Sequence, residues 1–278
     1  MNQIITQTGA MPYHLGRYGM SRAAFRDARP LPDGPYIAFV GGAETFGRYL
    51  PQSLPQGVEA LTGVHCVNFG IVNASIGAHL ADGAVMTACH DAALTVLELT
   101  GAANLGNALY RVHPRRNDRI VCVSPLLREI YGEVDFADFV FTRHMLAALK
   151  QVCPKRFEIV RRELARAWVE QTAAFVAAQP GPVVLLWLSR RPPGQGPVEE
   201  VDPIFVSEAM LRAVLPGSGG LVAYTPAEDE WAAGRGGMVY FDHEEPAADL
   251  MVGAAAQAGV AARLAAKVAQ AIPRAHAA

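Results

Sequence analysis

The stretch PYIAFVGGAETFGRYL, residues 35–50, decides how the rest of the chain is read. Tyr36–Val40 is an unbroken apolar run that empties into Gly41 and Gly42. A polar cluster, Glu44, Thr45 and Arg48, then precedes a helical pattern. An unbroken rather than alternating apolar run is what a strand covered on both faces requires. Runs of the same kind recur at His65–Phe69, Leu94–Leu99, Val183–Leu188 and Leu221–Tyr224, with a shorter sixth candidate at Met238–Phe241. Helical patterns separate them at Arg48–Leu61, Gly77–Ala88 and Ser207–Leu215. The strongest, Lys155–Ala178, is opened by Pro154 and carries Phe157, Val160, Leu164, Trp168 and Phe175 on one stripe. A last helix, Ala247–Ile272, places Leu250, Ala254, Ala258, Ala261, Leu264 and Val268 on one face. Strand alternating with helix predicts an α/β fold with a doubly wound, mainly parallel sheet.

The spacing also predicts an insertion. Gly101 to Gln179, between the third and fourth strands, is far longer than a simple crossover. With a helical pattern at Asp138–Lys150, residues 105–179 are expected to form a helical elaboration. No linker composition interrupts the chain, so one domain is expected over residues 1–278, with residues 1–34 irregular. Hydrophobic residues make up 51% and charged residues 18%, a folded composition. A net charge of −2 argues against a general nucleic-acid binder. Cys66, Cys89, Cys122 and Cys153 match neither zinc spacing nor a disulfide framework, and read as free thiols. The first twenty residues lack a basic start followed by an apolar run, and no stretch of about 18 apolar residues occurs. No secretory signal and no membrane contact are therefore expected, and the protein is expected in the cytoplasm.

Ligands of open parallel sheets sit beyond the carboxyl ends of the strands. The loops there are GGAETFG, NFGIVNAS, ELTGAANLGN and SRRPPGQG, rich in glycine and small polar residues. Glycine merely to turn the chain would explain the first property. The side-chain amides of Asn68, Asn73, Asn104 and Asn107 point further, to a pocket. Gly42 to Gly47 has the glycine spacing of a phosphate-binding loop, but Arg48 and Tyr49 replace its lysine and small hydroxyl residue. Gly41, Gly42 and Gly47 are also wrongly spaced for a dinucleotide fingerprint.

The SGNH (GDSL-type) hydrolases open with G-D-S-x-T-x-G after the first strand, and this chain resembles them at Gly41, Thr45 and Gly47. NFGIVNAS resembles their second block, and GAAN their third with one extra residue. The resemblance implies a flavodoxin-like, SGNH-like sheet and enzymes that often act on acylated glycans. The chemistry is missing: Ala43 stands where the serine nucleophile belongs, Gly42 replaces the aspartate, and Phe205 follows Asp202 where the histidine belongs. Alanine has no oxygen to activate, so the Ser–His mechanism cannot run there. The chain more closely resembles an uncharacterised bacterial family of unknown function. Its patterns are matched here by Glu44–Arg48, by Asn107 with Tyr110 and Val112–Arg119, by Phe141 with His144, and by Asp202–Val206. That family often carries a histidine in the final helix, where this chain has Gln257.

Arg111, His113, Arg115, Arg116 and Arg119 crowd into nine residues, and Arg190 and Arg191 leave the fourth strand toward the same edge. Guanidinium forks bind carboxylate, sulfate or phosphate. The plainer reading pairs these arginines with Glu129, Glu133, Asp135 and Asp138. Glu44 is read either as a general base or hydroxyl acceptor, or as a carboxylate taking N–H bonds at the next helix start. His144 is read as catalytic or structural, and Asp242–Glu245 as a solvated acidic turn rather than a metal site. Ser75 is the best remaining hydroxyl. The sequence thus predicts a degenerate SGNH-like site that binds a carbohydrate, an acidic polysaccharide or another anionic small ligand through Gly42, Glu44, Thr45, Asn73, Asn104, Asn107, His113, Arg115, Arg116 and Arg190. The protein would belong to a surface structure or larger particle. The alternative is a carbohydrate-modifying enzyme (esterase, deacetylase, acyl- or sulfotransferase) using Glu44 or His144. No cofactor, metal or nucleic acid is expected. The alanine-rich last helix offers a face for a homo-oligomer or partner protein.

Overall fold

A computed structural model describes residues 4–6 and 11–272 of the chain. Five strands form the central sheet: β1 (Tyr36–Gly41), β2 (His65–Gly70), β3 (Leu94–Glu98), β4 (Val183–Leu188) and β5 (Leu221–Tyr224). All four pairings are parallel. The order β2-β1-β3-β4-β5 is the flavodoxin-like doubly wound order. Its direction reverses at β1, which lies between β2 and β3, and so opens a crevice at the carboxyl edge.

Both faces of the sheet are covered, which is why β1 and β4 are buried at every residue. On one face Ala38, Val40, Phe69, Leu97, Leu185 and Trp187 form a core with the long helix and the insertion. On the other, Ile37, Phe39, Val96, Val184 and Leu186 pack against helices α1 (Leu54–Thr62) and α3 (Ala254–Ala271). Each Val, Leu, Ile or Phe among them stabilises the fold by about 1.5–3 kcal/mol when fully buried. The long helix, α2 (Pro154–Ala177), starts on Pro154 and buries the expected stripe from Phe157 to Phe175.

Several boundaries differ from the sequence reading, each for a local reason. The helix expected from Arg48 begins only at Leu54, because Tyr49 has φ 67° and Pro51 follows. Gly77–Ala88 is two helices, Ile76–Leu80 and Gly83–Asp91, the second capped by the Asp82 carboxylate. Met238–Phe241 is not a strand; Val239 makes one backbone bond to Tyr49. The last helix is broken at Gly253, where a Cβ would lie 2.1 Å from the Gly234 carbonyl. Leu250 is therefore 65% exposed rather than part of the stripe, and Ala254 and Ala258 are exposed too. Ala261, Leu264 and Val268 are buried as expected, and Ala256, Gln257 and Val260 complete the buried face.

The insertion is not wholly helical. It opens with an antiparallel hairpin, Tyr110–His113 with Arg116–Val123, before the helices Pro125–Ile130, Thr142–Val152 and α2. Buried Tyr110, exposed Arg111 and half-buried Val112 begin the alternation of a strand with one wet face. The amino-terminal region is not irregular where described: Ile4–Thr6, Tyr13–Gly16 and Phe25–Arg26 pair as a small antiparallel sheet. Residues 1–3, 7–10 and 273–278 lie outside the described residues. Among the described residues no helix is long and apolar enough to cross a membrane.

Candidate functional site

The turn after β1 is held from beneath by Glu98, the last residue of β3. Its Oε2 accepts hydrogen bonds from Gly42 N at 3.0 Å, Thr45 N at 2.8 Å and Thr45 Oγ1 at 2.5 Å. This explains Gly41, whose added Cβ would sit 2.4 Å from that oxygen and 2.3 Å from Thr45 Oγ1. Gly47 closes the turn with φ 75°, a conformation glycine adopts without strain.

Glu44 links the turn to the far end of the chain. Its Oε1 accepts from Val252 N at 3.0 Å and its Oε2 from Gln257 Nε2 at 3.1 Å. Of the two readings of Glu44, capping of the next helix start is not what the geometry gives; Glu98 takes those N–H groups. Burial, then the neighbouring Glu98 charge, push the Glu44 carboxyl well above its ordinary value of 4.5. Glu98 is also raised, chiefly by burial, although its three hydrogen bonds pull the other way. Gln257 Oε1 is buried beside Glu44 without a partner.

Above these carboxyls lies a cavity of about 580 Å³. Asn104 lines one side, its Oδ1 accepting from Thr142 Oγ1 at 2.6 Å. Arg190 lines another, its guanidinium stacked 3.8 Å from the Trp231 ring centroid. Asp202 forms part of the rim and takes a two-point contact from Arg143, at 2.9 and 2.7 Å. Arg191 supports that rim from within. Only 3% exposed, it donates to the carbonyls of Val201, Pro203 and Val206 and lies over the Trp187 ring.

Of the residues expected at a site, Gly42, Glu44, Asn73, Asn104, His144 and Arg190 line this one cavity. Thr45 lies beneath it, buried against Glu98. Asn107 does not reach it; its amide caps a turn, with Oδ1 accepting from Leu109 N and Tyr110 N. His113, Arg115 and Arg116 do not join Glu44 and Asn104 either, because the hairpin carries them into a separate groove. The plainer reading of the arginines fails as well. Among the described residues none of Arg111, Arg115, Arg116 and Arg119 forms an ion pair with Glu129, Glu133, Asp135 or Asp138, and Glu133 pairs with Arg156. His144 is exposed, edge-on to Phe139 at 5.0 Å between centroids. Ser75 is buried away from the cavity and donates to Asn117 Oδ1 at 2.9 Å. Ser189 lines the cavity but its hydroxyl is donated to the Asp202 carbonyl. Among the described residues no cluster of three or more His, Cys, Asp or Glu could hold a metal ion.

Glu98 and Trp231 were not singled out from the sequence. A lone carboxylate inside the apolar run Leu94–Leu99 was the signal for Glu98. Trp231 follows β5, whose carboxyl end also faces the crevice, so the same rule that found four loops would have found a fifth.

Fold and site together define a doubly wound α/β protein with a polar crevice at its strand switch point. The chain belongs to the family described as "Domain of unknown function (DUF6473)", whose model matches residues 1–272. No curated protein matches it. Among solved structures it is similar to a mutant acetyl-xylooligosaccharide esterase from Geobacillus Stearmophilus. The identity is 12% and the TM-score 0.42, over 86% of this chain and 94% of that one.

Proposed function

We propose that the cavity binds a carbohydrate and does not hydrolyse it through a serine. The observation that carries this reading is the floor formed by Glu44 and Glu98 beneath a wall of Arg190 stacked on Trp231. Carboxyls accept or, when protonated, donate hydrogen bonds to hydroxyls, while arginine and the Asn73 and Asn104 amides add directional polar groups. An aromatic ring with few precisely placed polar groups is the general make-up of a small-molecule site. Acidic side chains at the floor and rim favour hydroxyl recognition there over an anion. A glycan array that includes neutral and acidic oligosaccharides tests the reading. Binding by the native protein, lost in Trp231→Ala, is the expected result; an array without a hit contradicts it.

A second reading, an enzyme using Glu44 in place of serine, is favoured by one observation. Its carboxyl is shifted upward, toward the range in which a general acid or base works near neutral pH. Hydrolysis of p-nitrophenyl acetate separates the two. The binding reading expects no turnover above buffer, whereas turnover that disappears in Glu44→Gln establishes the enzyme.

A further inference from the structure

We infer that the groove beside the hairpin is a second site, one that holds the anionic stretch of a glycan chain whose end enters the cavity; this rests on the carbohydrate reading of that cavity. The groove encloses about 1730 Å³, far more than the cavity. Asn73, Ala74 and Asp118 line both, so the two concavities meet at the loop after β2. Asn73 sits at that junction with φ 61° and its side chain exposed.

The junction is built, not incidental. Asn117, buried to 3% exposure, accepts from Ser75 N and Oγ at 2.7 and 2.9 Å and donates to the His113 carbonyl at 2.9 Å. It thereby fastens the hairpin tip to the loop that borders the cavity. The tip presents Arg115 and Arg116 outward, with Arg119 on the returning strand and Arg22 on the facing amino-terminal segment. Among the described residues none of these four forms an ion pair. Of the two aspartates in the groove, Asp82 is already engaged by Ser21 Oγ at 2.6 Å and by Ala84 N and Val85 N. Arg119 lies over the Phe141 ring at 5.4 Å, so Arg22, Arg115 and Arg116 are the groove's unspent guanidinium groups, suited to two-point recognition of carboxylate or sulfate. A nucleic acid fits less well, because the groove's large aromatic residues, Tyr18 and Phe46, are only 6% and 7% exposed, which leaves the half-buried His113 ring as its one stacking candidate among the described residues.

Calorimetric titration tests this with three probes: hexagalacturonate, a neutral galactan hexamer and a twenty-residue oligo-dT. The double variant Arg115→Ser/Arg116→Ser changes only exposed residues at the hairpin tip, and circular dichroism verifies its fold. The inference expects hexagalacturonate to bind the native protein more tightly than the neutral hexamer does. It expects the double variant to lose at least about tenfold for the acidic probe and nothing for the neutral one, with a shallower salt dependence. Equal affinity for both hexamers, an unchanged acidic affinity in the double variant, or tighter binding of oligo-dT overturns it. Trp231→Ala distinguishes the underlying reading. If it leaves neutral-hexamer binding intact while the arginine variant still weakens the acidic probe, the cavity assignment fails and the anionic groove stands.

Discussion

Glu44 concentrates the unusual physics of the molecule in one side chain. A carboxyl whose folded value is raised binds more protons folded than unfolded between pH 4.5 and that raised value. Its contribution to stability is therefore most favourable below the ordinary carboxylate value and is lost as pH rises through the folded one. Glu44→Gln removes the titration, and Gln257 can rotate its amide so that its unpaired Oε1 accepts from the new N–H group. The variant is expected to melt no lower than the native protein at neutral pH, with a flatter Tm-versus-pH curve as pH rises above 4.5. Thermal denaturation across that range checks it, and a steeper curve contradicts the assignment. Glu98→Ala behaves in the opposite way. It strands three donors at the turn, each costing about 1–3 kcal/mol when left buried and unmet. A fall in the denaturant midpoint is expected, while Glu98→Gln, which keeps an acceptor oxygen, restores part of it. Glu44 was visible in the sequence because it breaks a glycine turn. Its contacts with Val252 and Gln257 were not, although Gln257 stands out in the final helix, because that helix reaches the turn only through the folded sheet.

Among the elements, the loop from Val201 to Val206 depends most on a single residue. Arg191 ties three of its carbonyls together, and hydrogen bonds from a charged donor contribute about 1.5–3 kcal/mol each. Arg191→Met keeps the apolar stem over Trp187 and loses the bonds. It is expected to lower Tm by several degrees and to weaken ligand binding at the cavity through the displaced Asp202 rim, read by scanning calorimetry and titration. A variant with unchanged Tm would show that the loop is held by its other contacts. The elements themselves were unequally legible. β1, β4 and α2 were read correctly, since their burial leaves an apolar pattern that only one geometry satisfies. The hairpin was missed because charge clustering in VHPRRNDR masked a two-residue period, and the arginines were consequently sent to the wrong concavity. Gly253 hid the break in the last helix among alanines, where a small residue carries no pattern.

At the scale of the whole molecule, the site joins the two ends of the sheet chain: the turn after β1 and the start of α3, bridged by Glu44, with β3, β4 and the segment after β5 completing the walls. The doubly wound order puts these pieces at one edge, and strand order is what the succession of strands and helices could not supply. The buried face of α3 packs against α1, where Gly57 would bring a Cβ within 3.3 Å of Ala261. We propose that the outward alanines of α3 are the face for any self-association, and sedimentation velocity at high concentration showing monomer alone would remove the proposal. Carbohydrate binding in the cavity is decided by a crystal structure of the protein with the neutral galactan hexamer. A sugar ring is expected in the cavity, against Arg190 and Trp231, with hydroxyls on Glu44 and the Asn104 amide and no covalent bond to the protein. A sugar bound only outside the cavity, or an acyl or glycosyl group joined to a side chain, would contradict it.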